Sequence, residues 1–377
     1  MSQLLYDIAL TRIYMVGPRS ARALINHLGS ARAVFDMPAS DLRRLGAVGA
    51  YISDDNYRSE ALRSAEKELE YMQRHNIYAT GIQNPAYPQR LAQCPDAPVV
   101  LYHTSRQPLL SDKVVAVVGT RRISSYGRDL TDNFIADIAA VAPETLIVSG
   151  LAYGVDITAH RASLRHGLST IGVVAHGLDL IYPSSHRNTA EEMCRNGGAV
   201  MTEYPTHTRP DPQNFVQRNR IIAGLADATV VIESAAKGGS LITAEVANDY
   251  NRDVMAFPGR VGDPFSAGCN NLISCNKAQL ISSAADFVRL MGWDVEKPQA
   301  VQQSLFPDQL PADQLSPDQQ KIVDALTKGP LHINEIARAA EMTIQQASVI
   351  LTNMVFDDIL RQLPGDRYET MLSNRAF

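Results

Sequence analysis

A group of basic side chains beside glycine turns stands out in the middle of this 377-residue sequence, because such groups bind anions. Backbone N–H groups at a glycine turn or at the start of a helix point towards an anion, and guanidinium or ammonium groups supply the opposite charge. The basic residues are Arg121, Arg218, Arg220 and Lys237, and the neighbouring turns contain Gly119, Gly150, Gly238 and Gly239. The chemistry that this pattern predicts is the binding of a phosphate-bearing ligand.

The glycine turns do not carry the two familiar phosphate-binding signatures. Gly119 is followed by no G-x-G-x-x-G pattern, and no G-x-x-x-x-G-K-[ST] pattern occurs anywhere in the chain. The first pattern is typical of dinucleotide-binding proteins and the second of P-loop NTPases. We therefore expect the anion to be held differently from the way a dehydrogenase or an ATPase holds it.

Histidines near the same turns are the candidates for acid–base chemistry. The histidines are His160, His176 and His186, and the carboxylates that could pair with them are Asp156, Asp179 and Glu203. A catalytic base needs a nucleophile and an orienting partner at hydrogen-bond distance. No G-x-S-x-G, H-E-x-x-H or Cys/His motif supplies that relation, and no residue spacing is typical of a metal site. The expectation is that these histidines make structural hydrogen bonds, with no catalytic residue, no metal and no cofactor.

The turn at Gly119 follows the run Val114–Val118, which has no polar alternation. Such a run predicts a strand buried on both faces. Ser124 or Ser125 is a suitable cap for a helix that begins near Tyr126. Strand, turn and capped helix thus place N–H groups and guanidinium charge at one point.

The same alternation of strand and helix continues from residue 111 to residue 290. Helical stretches lie near 126–140, 156–166, 186–196, 214–224 and 240–250, and the apolar runs between them are Leu146–Val148, Ile171–Ala175, Ala199–Met201, Ala228–Ile232 and Val254–Phe257. This alternation predicts an α/β fold with a doubly wound, mostly parallel, Rossmann-like sheet. Ligands of such sheets bind outside the carboxyl ends of the strands, so the loops with the basic residues meet at one edge.

Two flanking regions have a different pattern. Residues 1–80 have apolar residues at helical spacing, and breaks at Gly17-Pro18 and Gly46–Gly49 resemble the turns of a SAM or helix–hairpin–helix domain. A proline-rich connector with a short strand at Val99–Tyr102 leads into the central region. The predicted domains are helical 1–80, Rossmann-like 84–290, a flexible linker 294–313 rich in Gln, Pro and Asp, and winged-helix 314–377.

The C-terminal region has the element order of a winged helix, with helices at Pro317–Leu326, Ile333–Ala340 and Ile344–Phe356 and a hairpin at Ile359–Tyr368. The helix that would read a major groove contains no Lys or Arg. Phosphate contacts supply much of the affinity for DNA, so we expect this helix to contact protein or to be a degenerate module rather than a duplex reader.

Overall composition sets weaker limits on function. The net charge of −5 argues against a protein that coats nucleic acid through its overall charge, although a local basic patch remains compatible with it. The four cysteines lack zinc spacing, and neither a signal peptide nor an apolar run of membrane length is present. A cytoplasmic protein without a membrane partner is the expectation.

An ordered set of motifs resembles the DNA-processing protein A family, also called DprA or Smf. The motifs are Gly119-Thr-Arg, Ser149-Gly-Leu-Ala-x-Gly-Val-Asp, Ala159-His-Arg, Gly198-Ala-Val-Met-Thr-Glu-Tyr-Pro, Arg218-Asn-Arg-Ile-Ile-Ala-Gly-Leu, Gly239-Ser-Leu-Ile-Thr-Ala and Gly268-Cys-Asn-x-Leu-Ile. The resemblance implies a homodimeric bacterial protein that binds single-stranded DNA and loads the recombinase RecA onto incoming DNA in natural transformation. The predicted DNA-binding residues are Gly119, Thr120, Arg121, Arg122, Ser149, Gly150, Ala152, Arg218, Asn219, Arg220, Lys237, Gly238, Gly239, Ser240 and Thr243.

Two other functional classes remain open on the sequence. A Rossmann-like pocket of this kind also suits a nucleotide-binding enzyme that cleaves N-glycosidic or phosphoribosyl bonds, with Glu203 or Glu245 as acid or base. A transcription regulator, with the sheet as ligand sensor and the winged helix as reader, is the third class, and the neutral recognition helix argues against it.

Overall fold

The chain divides into two compact units, Met1–Asp294 and Val295–Phe377. The computed structural model describes residues 2–45, 51–106, 111–293, 315–327, 329–357 and 359–370. The predicted linker at 294–313 and the predicted turn at 46–49 lie outside the described residues.

A nine-stranded sheet forms the centre of the first unit, in the order β1-β2-β6-β5-β4-β3-β7-β8-β9. The strands are β1 Tyr78–Gly81, β2 Val100–His103, β3 Val114–Val118, β4 Leu146–Ser149, β5 Thr170–Val173, β6 Ala199–Thr202, β7 Ala228–Val231, β8 Asp253–Ala256 and β9 Gln279–Leu280. Pairing is antiparallel for β1–β2 and β2–β6 and parallel for the other neighbours. The predicted doubly wound, mostly parallel sheet is confirmed.

The order of the strands reverses between β3 and β7. The chain adds β4, β5 and β6 on one side of β3 and then returns to its other side with β7, β8 and β9. Two neighbouring loops consequently leave the sheet in opposite directions and open a crevice at the carboxyl ends of β3 and β7. This crevice is where a doubly wound sheet binds its ligand.

Helices cover both faces of the sheet. In the first unit they are α1 Gln3–Arg12, α2 Pro18–Leu28, α3 Ala31–Asp36, α4 Ala39–Leu42, α5 Asp55–His75, α6 Gln89–Ala92, α7 Ser125–Val141, α8 Val155–Arg165, α9 Arg187–Arg195, α10 Pro212–Leu225, α11 Gly239–Asp249, α12 Ala267–Ser274 and α13 Ala284–Leu290. All five residues of β3 are buried: Val115 and Val117 pack with Phe134 of α7 on one face, and Val114 packs with Ile222 of α10 on the other. A strand enclosed in this way has no polar face, which is why its sequence is uninterrupted Val and Ala.

The N-terminal helices share a core with the edge of the sheet. Ile8 and Ile25 belong to the same buried cluster as Val100 and Tyr102 of β2. β1 follows α5 and pairs with β2 in antiparallel register. The helical segment and the sheet are therefore packed together within one unit.

The second unit has winged-helix architecture. Its helices are α14 Pro317–Leu326, α15 Ile333–Ala339 and α16 Ile344–Phe356, and its small sheet has the order β10-β12-β11 with β10 Leu331–His332, β11 Leu360–Leu363 and β12 Arg367–Thr370. Capping boxes start all three helices, at Ser316, His332 and Thr343. Gly365, with φ of 80°, lies in the turn between β11 and β12. The predicted winged helix is confirmed.

Candidate anion-binding site

A cleft of about 380 Å³ lies at the carboxyl ends of β3 and β7, at the point where the strand order reverses. Its walls are formed by the loops after β3, β4, β7 and β8 and by one side of α10 and the start of α11. Its lining residues are Val118, Gly119, Thr120, Arg121, Arg122, Ala152, Asp156, Phe215, Val216, Arg218, Asn219, Ile222, Ala235, Lys237, Gly238, Gly239, Ser240, Ile242, Thr243 and Phe265. All of the residues predicted from the sequence except Ser149, Gly150 and Arg220 are among them.

The loop after β3 is held by the buried carboxylate of Glu233, which is 4% exposed. Glu233 accepts hydrogen bonds from Ser124 N (3.0 Å) and from Ser124 Oγ, and its carbonyl oxygen accepts one from Thr120 N (2.7 Å). Ser124 in turn caps α7 through Gly127 N (2.9 Å). A Cβ on Gly119 would lie 2.9 Å from the Glu233 carbonyl oxygen, so only glycine allows this close approach. The backbone between β3 and α7 is thereby fixed, while the side chains that follow Thr120 are directed to solvent.

Three exposed cations surround the cleft: Arg121, Arg122 and Lys237. Within the part of the chain that the structure describes, none of them has a carboxylate within salt-bridge distance. The Arg121 guanidinium lies 5.2 Å from the ring centroid of Phe215, and that of Arg122 lies 5.8 Å from the ring of Phe265. Stacking on an aromatic ring limits the motion of a guanidinium without neutralising its charge. These cations are free to bind an anion.

The N-terminus of α11 opens into the same cleft. Gly238 is the N-cap residue and supplies no side-chain cap, so the N–H groups of Gly239 and Ser240 are not satisfied by a capping side chain. The Ser240 hydroxyl is turned away and donates to Ser234 Oγ at 2.9 Å. Unpaired N–H groups and the helix dipole both favour an anion at this position, next to Lys237.

A buried pair of opposite charges forms the floor of the cleft. Arg218 is 3% exposed and donates from Nη1 to the carbonyl oxygen of Val173 at 2.5 Å, while its buried Nε has no hydrogen-bond partner among the described residues. Asp156, 8% exposed, accepts from Ala152 N at 3.4 Å. Burial lowers the pKa of Arg218 to about 10, although the nearby Asp156 carboxylate acts in the opposite direction. Burial likewise raises the pKa of Asp156, and the nearby Arg218 guanidinium opposes that rise.

Gly150 makes this arrangement of the floor possible. A Cβ at Gly150 would overlap Arg218 Nη1 and lie 2.5 Å from Asp156 Oδ2. Both charged groups therefore rest against the bare backbone of Gly150. This residue has a structural role beneath the cleft rather than a position in its wall.

Ser149 and Arg220 also lie outside the cleft, which corrects the expectation that they converge on it. The Ser149 hydroxyl is fully buried and donates to the carbonyl oxygen of Val117 at 2.6 Å. The Arg220 guanidinium is paired with the carboxylate of Glu203 and donates to the carbonyl oxygen of Asp96 at 2.5 Å. Residues two apart on a helix point about 200° apart, so Arg218 and Arg220 face different surroundings.

Phe215, Phe265 and Glu233 are site residues that the sequence analysis did not single out. Phe215 lies three residues before Arg218 on α10, and its ring centroid is 5.9 Å from the Arg218 guanidinium carbon. The i, i+3 spacing of an aromatic and a basic residue was the available signal. Glu233 had no comparable signal, because a buried carboxylate after a strand is recognised only by the loop that it holds.

The three candidate histidines make structural hydrogen bonds and none lines the cleft. His160 is fully buried, its Nδ1 lies 2.7 Å from Thr170 Oγ1, and burial lowers its pKa to about 3. His176 Nε2 accepts from Tyr182 N at 3.2 Å, and His186 Nδ1 lies 2.9 Å from the carbonyl oxygen of Leu151. No group of three or more His, Cys, Asp or Glu among the described residues could hold a metal ion.

The two glutamates proposed for an enzyme are also engaged elsewhere. Glu203 pairs with Arg220, and Glu245 lies 3.4 Å from Lys277 Nζ. Neither glutamate lines the cleft. The geometry of the cleft supports binding of an anion and gives no support to acid–base chemistry by these two residues.

A larger cavity of about 620 Å³ lies at the opposite edge of the sheet, beside the amino ends of β3, β4 and β5. Arg90 is the basic residue in its wall, and its guanidinium is paired with Asp227 (2.5 Å) and donates to the carbonyl oxygens of Ser111 and Asp112. Because this charge is already satisfied, the smaller cleft is the better anion site despite its size.

In the described part of the chain, no helix has the length and apolar character needed to cross a membrane.

Comparison with known proteins gives matches to both the central sheet and the C-terminal winged helix. A family model described as DNA recombination-mediator protein A matches residues 79–292, and one described as DprA winged helix domain matches residues 306–366. Protein Smf from Synechocystis is similar to this chain, with 33% identity over 330 residues that cover 80% of this chain and 82% of that protein.

Two solved structures are similar to the chain over most of their own length. DNA processing protein A from Streptococcus pneumoniae has a TM-score of 0.64 at 30% identity, covering 77% of this chain and 98% of that one. DNA processing protein A from Helicobacter pylori, described for its unique single-stranded DNA binding mode, has a TM-score of 0.52 at 29% identity, covering 58% of this chain and 97% of that one.

Proposed function

The chain belongs to the DNA recombination-mediator protein A family, and on that premise we propose that it binds single-stranded DNA in the cleft between β3 and β7 and loads RecA onto the strand. The observation that carries the proposal is the set of unpaired cations around an open helix N-terminus. Arg121 and Lys237 contact phosphates, and the N–H groups of Gly239 and Ser240 complete the contact. The similarity to a relative described for single-stranded DNA binding supports the choice of ligand.

The dimensions and lining of the cleft favour a single strand over a duplex. A cleft of about 380 Å³ has the size of a small-ligand pocket and admits a short part of one flexible strand, whereas a duplex is too wide and rigid to enter it. Phe215 and Phe265 place aromatic rings beside the cations, the combination by which single strands are bound. The recognition helix α16 supplies no Lys or Arg for a major groove.

The proposed role is that of a mediator without catalytic turnover. A strand held mainly through phosphates at exposed side chains is released when another protein competes for the same phosphates. Handing the strand to RecA requires such exchangeable contacts. In this proposal the protein acts as a homodimer in the cytoplasm, on DNA taken up in natural transformation.

Titration of labelled oligonucleotides at two salt concentrations tests the DNA-binding proposal. We expect fluorescence anisotropy to give tighter binding to a single strand than to a duplex of the same sequence, and Lys237→Ala to weaken it. Arg195→Ala is the matched control, since Arg195 is 71% exposed in the last turn of α9, at the opposite edge of the sheet. Equal affinity for both forms of DNA, or equal loss in both variants, contradicts the proposal.

The loading step needs its own measurement. ATP hydrolysis by RecA on a strand precoated with single-strand-binding protein reports how fast RecA nucleates. We expect the wild-type chain to shorten the lag and Lys237→Ala to shorten it less. If the wild-type chain binds the strand but leaves the lag unchanged, the DNA-binding proposal stands and the loading proposal fails.

A further inference from the structure

We propose that Tyr153 and Tyr182 form a base-stacking platform that continues the cleft along the carboxyl edge of the sheet. The phosphates of the strand are held at β3 and β7, and neighbouring bases stack on the two tyrosines beside β4 and β5. The inference rests on the proposed function and adds the part of the nucleic acid that this second surface recognises.

Both tyrosines are large aromatic side chains left open to solvent. Tyr153 is 51% exposed and Tyr182 is 50% exposed. Tyr153 lies in the loop that follows β4, and Tyr182 lies in the loop that follows β5. Since β5, β4 and β3 are consecutive neighbours in the sheet, their carboxyl ends lie about 5 Å apart from strand to strand. The tyrosines are thus close to the cations of the cleft.

Direct aromatic contact joins the platform to the cleft. The ring centroids of Tyr182 and Phe215 are 6.1 Å apart, with an interplanar angle of 52°. Phe215 lines the cleft and lies beneath the Arg121 guanidinium at 5.2 Å. A strand whose phosphate binds Arg121 therefore has an aromatic surface next to it. This continuity and the positive charge beside it favour nucleobases as the occupant over an apolar protein surface.

The loops that carry the tyrosines are well anchored. The Tyr153 ring meets the His186 ring edge-on at 4.9 Å, and its hydroxyl lies 3.5 Å from Ser185 Oγ. The backbone N–H of Tyr182 donates to His176 Nε2 at 3.2 Å, and His176 is fully buried. A preorganised aromatic side chain loses little conformational entropy when a base stacks on it. Two of the histidines considered earlier for catalysis, His176 and His186, thus anchor these loops.

The test compares an ordinary single strand with an abasic strand of the same length, which keeps the phosphates and lacks the bases. We expect Tyr153→Ala and Tyr182→Ala each to weaken binding of the ordinary strand at least fivefold, the low end of base–aromatic stacking. Binding of the abasic strand and the dependence on salt should not change. Tyr182→Phe keeps the ring and should bind like the wild type. Tyr14→Ala is the matched control, because Tyr14 is 62% exposed on the N-terminal helical segment.

A second measurement needs no variant. A strand with 5-iodouracil is irradiated on the wild-type protein, and the crosslinked peptides are mapped; we expect those containing Tyr153 and Tyr182. Crosslinks confined to other peptides, or equal losses on ordinary and abasic strands in the alanine variants, overturn the platform. If Lys237→Ala still weakens binding and reduces its dependence on salt, while both tyrosine variants bind like the wild type, only this inference fails. If Lys237→Ala is also neutral, the cleft itself is wrongly assigned.

Discussion

Replacing Arg218 by Met tests the floor of the cleft. Arg218 and Asp156 are 3% and 8% exposed, and each moderates the effect of burial on the other. Met fills a similar length of space without the charge. Asp156 is then left as a buried carboxylate whose nearby positive charge has been removed, and Val173 loses the donor to its carbonyl oxygen.

The size of the effect follows from these two losses. Removing one partner of a buried ionic pair costs about 3–5 kcal/mol. The carboxylate avoids the charge by taking up a proton. From an ordinary pKa of 3.8 protonation would cost about 4 kcal/mol at pH 7 and about 2 kcal/mol at pH 5, and the raised pKa of Asp156 in the wild type makes both costs smaller. The lost hydrogen bond accounts for about 1 kcal/mol of this total, at any pH. We expect the free energy of unfolding to fall by about 3–5 kcal/mol at pH 7 and by clearly less at pH 5.

This pH dependence has the sign expected for any carboxylate that loses a nearby positive charge. Burial already raises the pKa of Asp156 in the wild type, and removal of Arg218 raises it further. The ionic part of the loss is therefore complete above the pKa of Asp156 in the variant, shrinks as the pH falls below it, and vanishes below the wild-type pKa, where only the hydrogen-bond loss remains. Urea unfolding at pH 7 and pH 5 measures it. The only tryptophan, Trp293, reports on the first unit, since its ring lies 5.3 Å from that of Phe287.

The Asp156→Asn/Arg218→Met double variant is the control for the ionic origin of the loss. It removes both charges, so it should be more stable than Arg218→Met alone at pH 7. A deficit that is the same at both pH values, or a double variant that simply adds two losses, would refute the assignment of Asp156 and Arg218 as an interacting pair.

Three further predictions follow from other parts of the first unit. Glu233→Ala should weaken single-strand binding and lower the free energy of unfolding by about 1–3 kcal/mol, because Ser124 N loses its acceptor. Glu233→Gln keeps an acceptor and should lose less affinity and less stability. Anisotropy measures the affinity of each variant, and urea unfolding measures its stability. Asp7→Asn should stabilise the unit by about 3 kcal/mol above pH 6 and by nothing near pH 4, since burial raises the pKa of Asp7 to about 6; an equal effect at both pH values contradicts this. A chain ending at Trp293 should keep most of its affinity for a single strand, which anisotropy measures. A chain beginning at residue 84 should fail to fold, because it lacks β1 and the helices that cover Tyr102, and circular dichroism measures that loss of structure.

The central sheet could be predicted because its strands have no polar face. Val114–Val118 is buried on both sides, and Ser124 caps the helix that follows, as its position before Tyr126 indicates. The strands that the pattern missed lie at the edges. β9 contains only Gln279 and Leu280, both exposed, so no hydrophobic periodicity marks it.

The cleft could be located from the sequence, but not all of its residues could. Topology alone brings the loops after β3 and β7 together, and it places Arg121 and Lys237 there correctly. Whether a side chain of α10 faces that edge depends on helical phase, which separates Arg218 from Arg220. The partner of Arg220, Glu203, lies 17 residues away in sequence and follows β6, so only the tertiary structure reveals the pairing.

The central claim is that exposed cations of the cleft bind the phosphates of a single strand. The most direct measurement is the slope of log K against log salt concentration for the wild type, Arg121→Ala, Lys237→Ala and the control Arg195→Ala. Each phosphate contact contributes about 0.7 to that slope on single-stranded DNA. We predict that Arg121→Ala and Lys237→Ala each flatten the slope by about 0.7, equally for different base sequences, and that Arg195→Ala leaves it unchanged. Unaltered slopes in both folded cleft variants, or the same flattening in all three, would contradict the account.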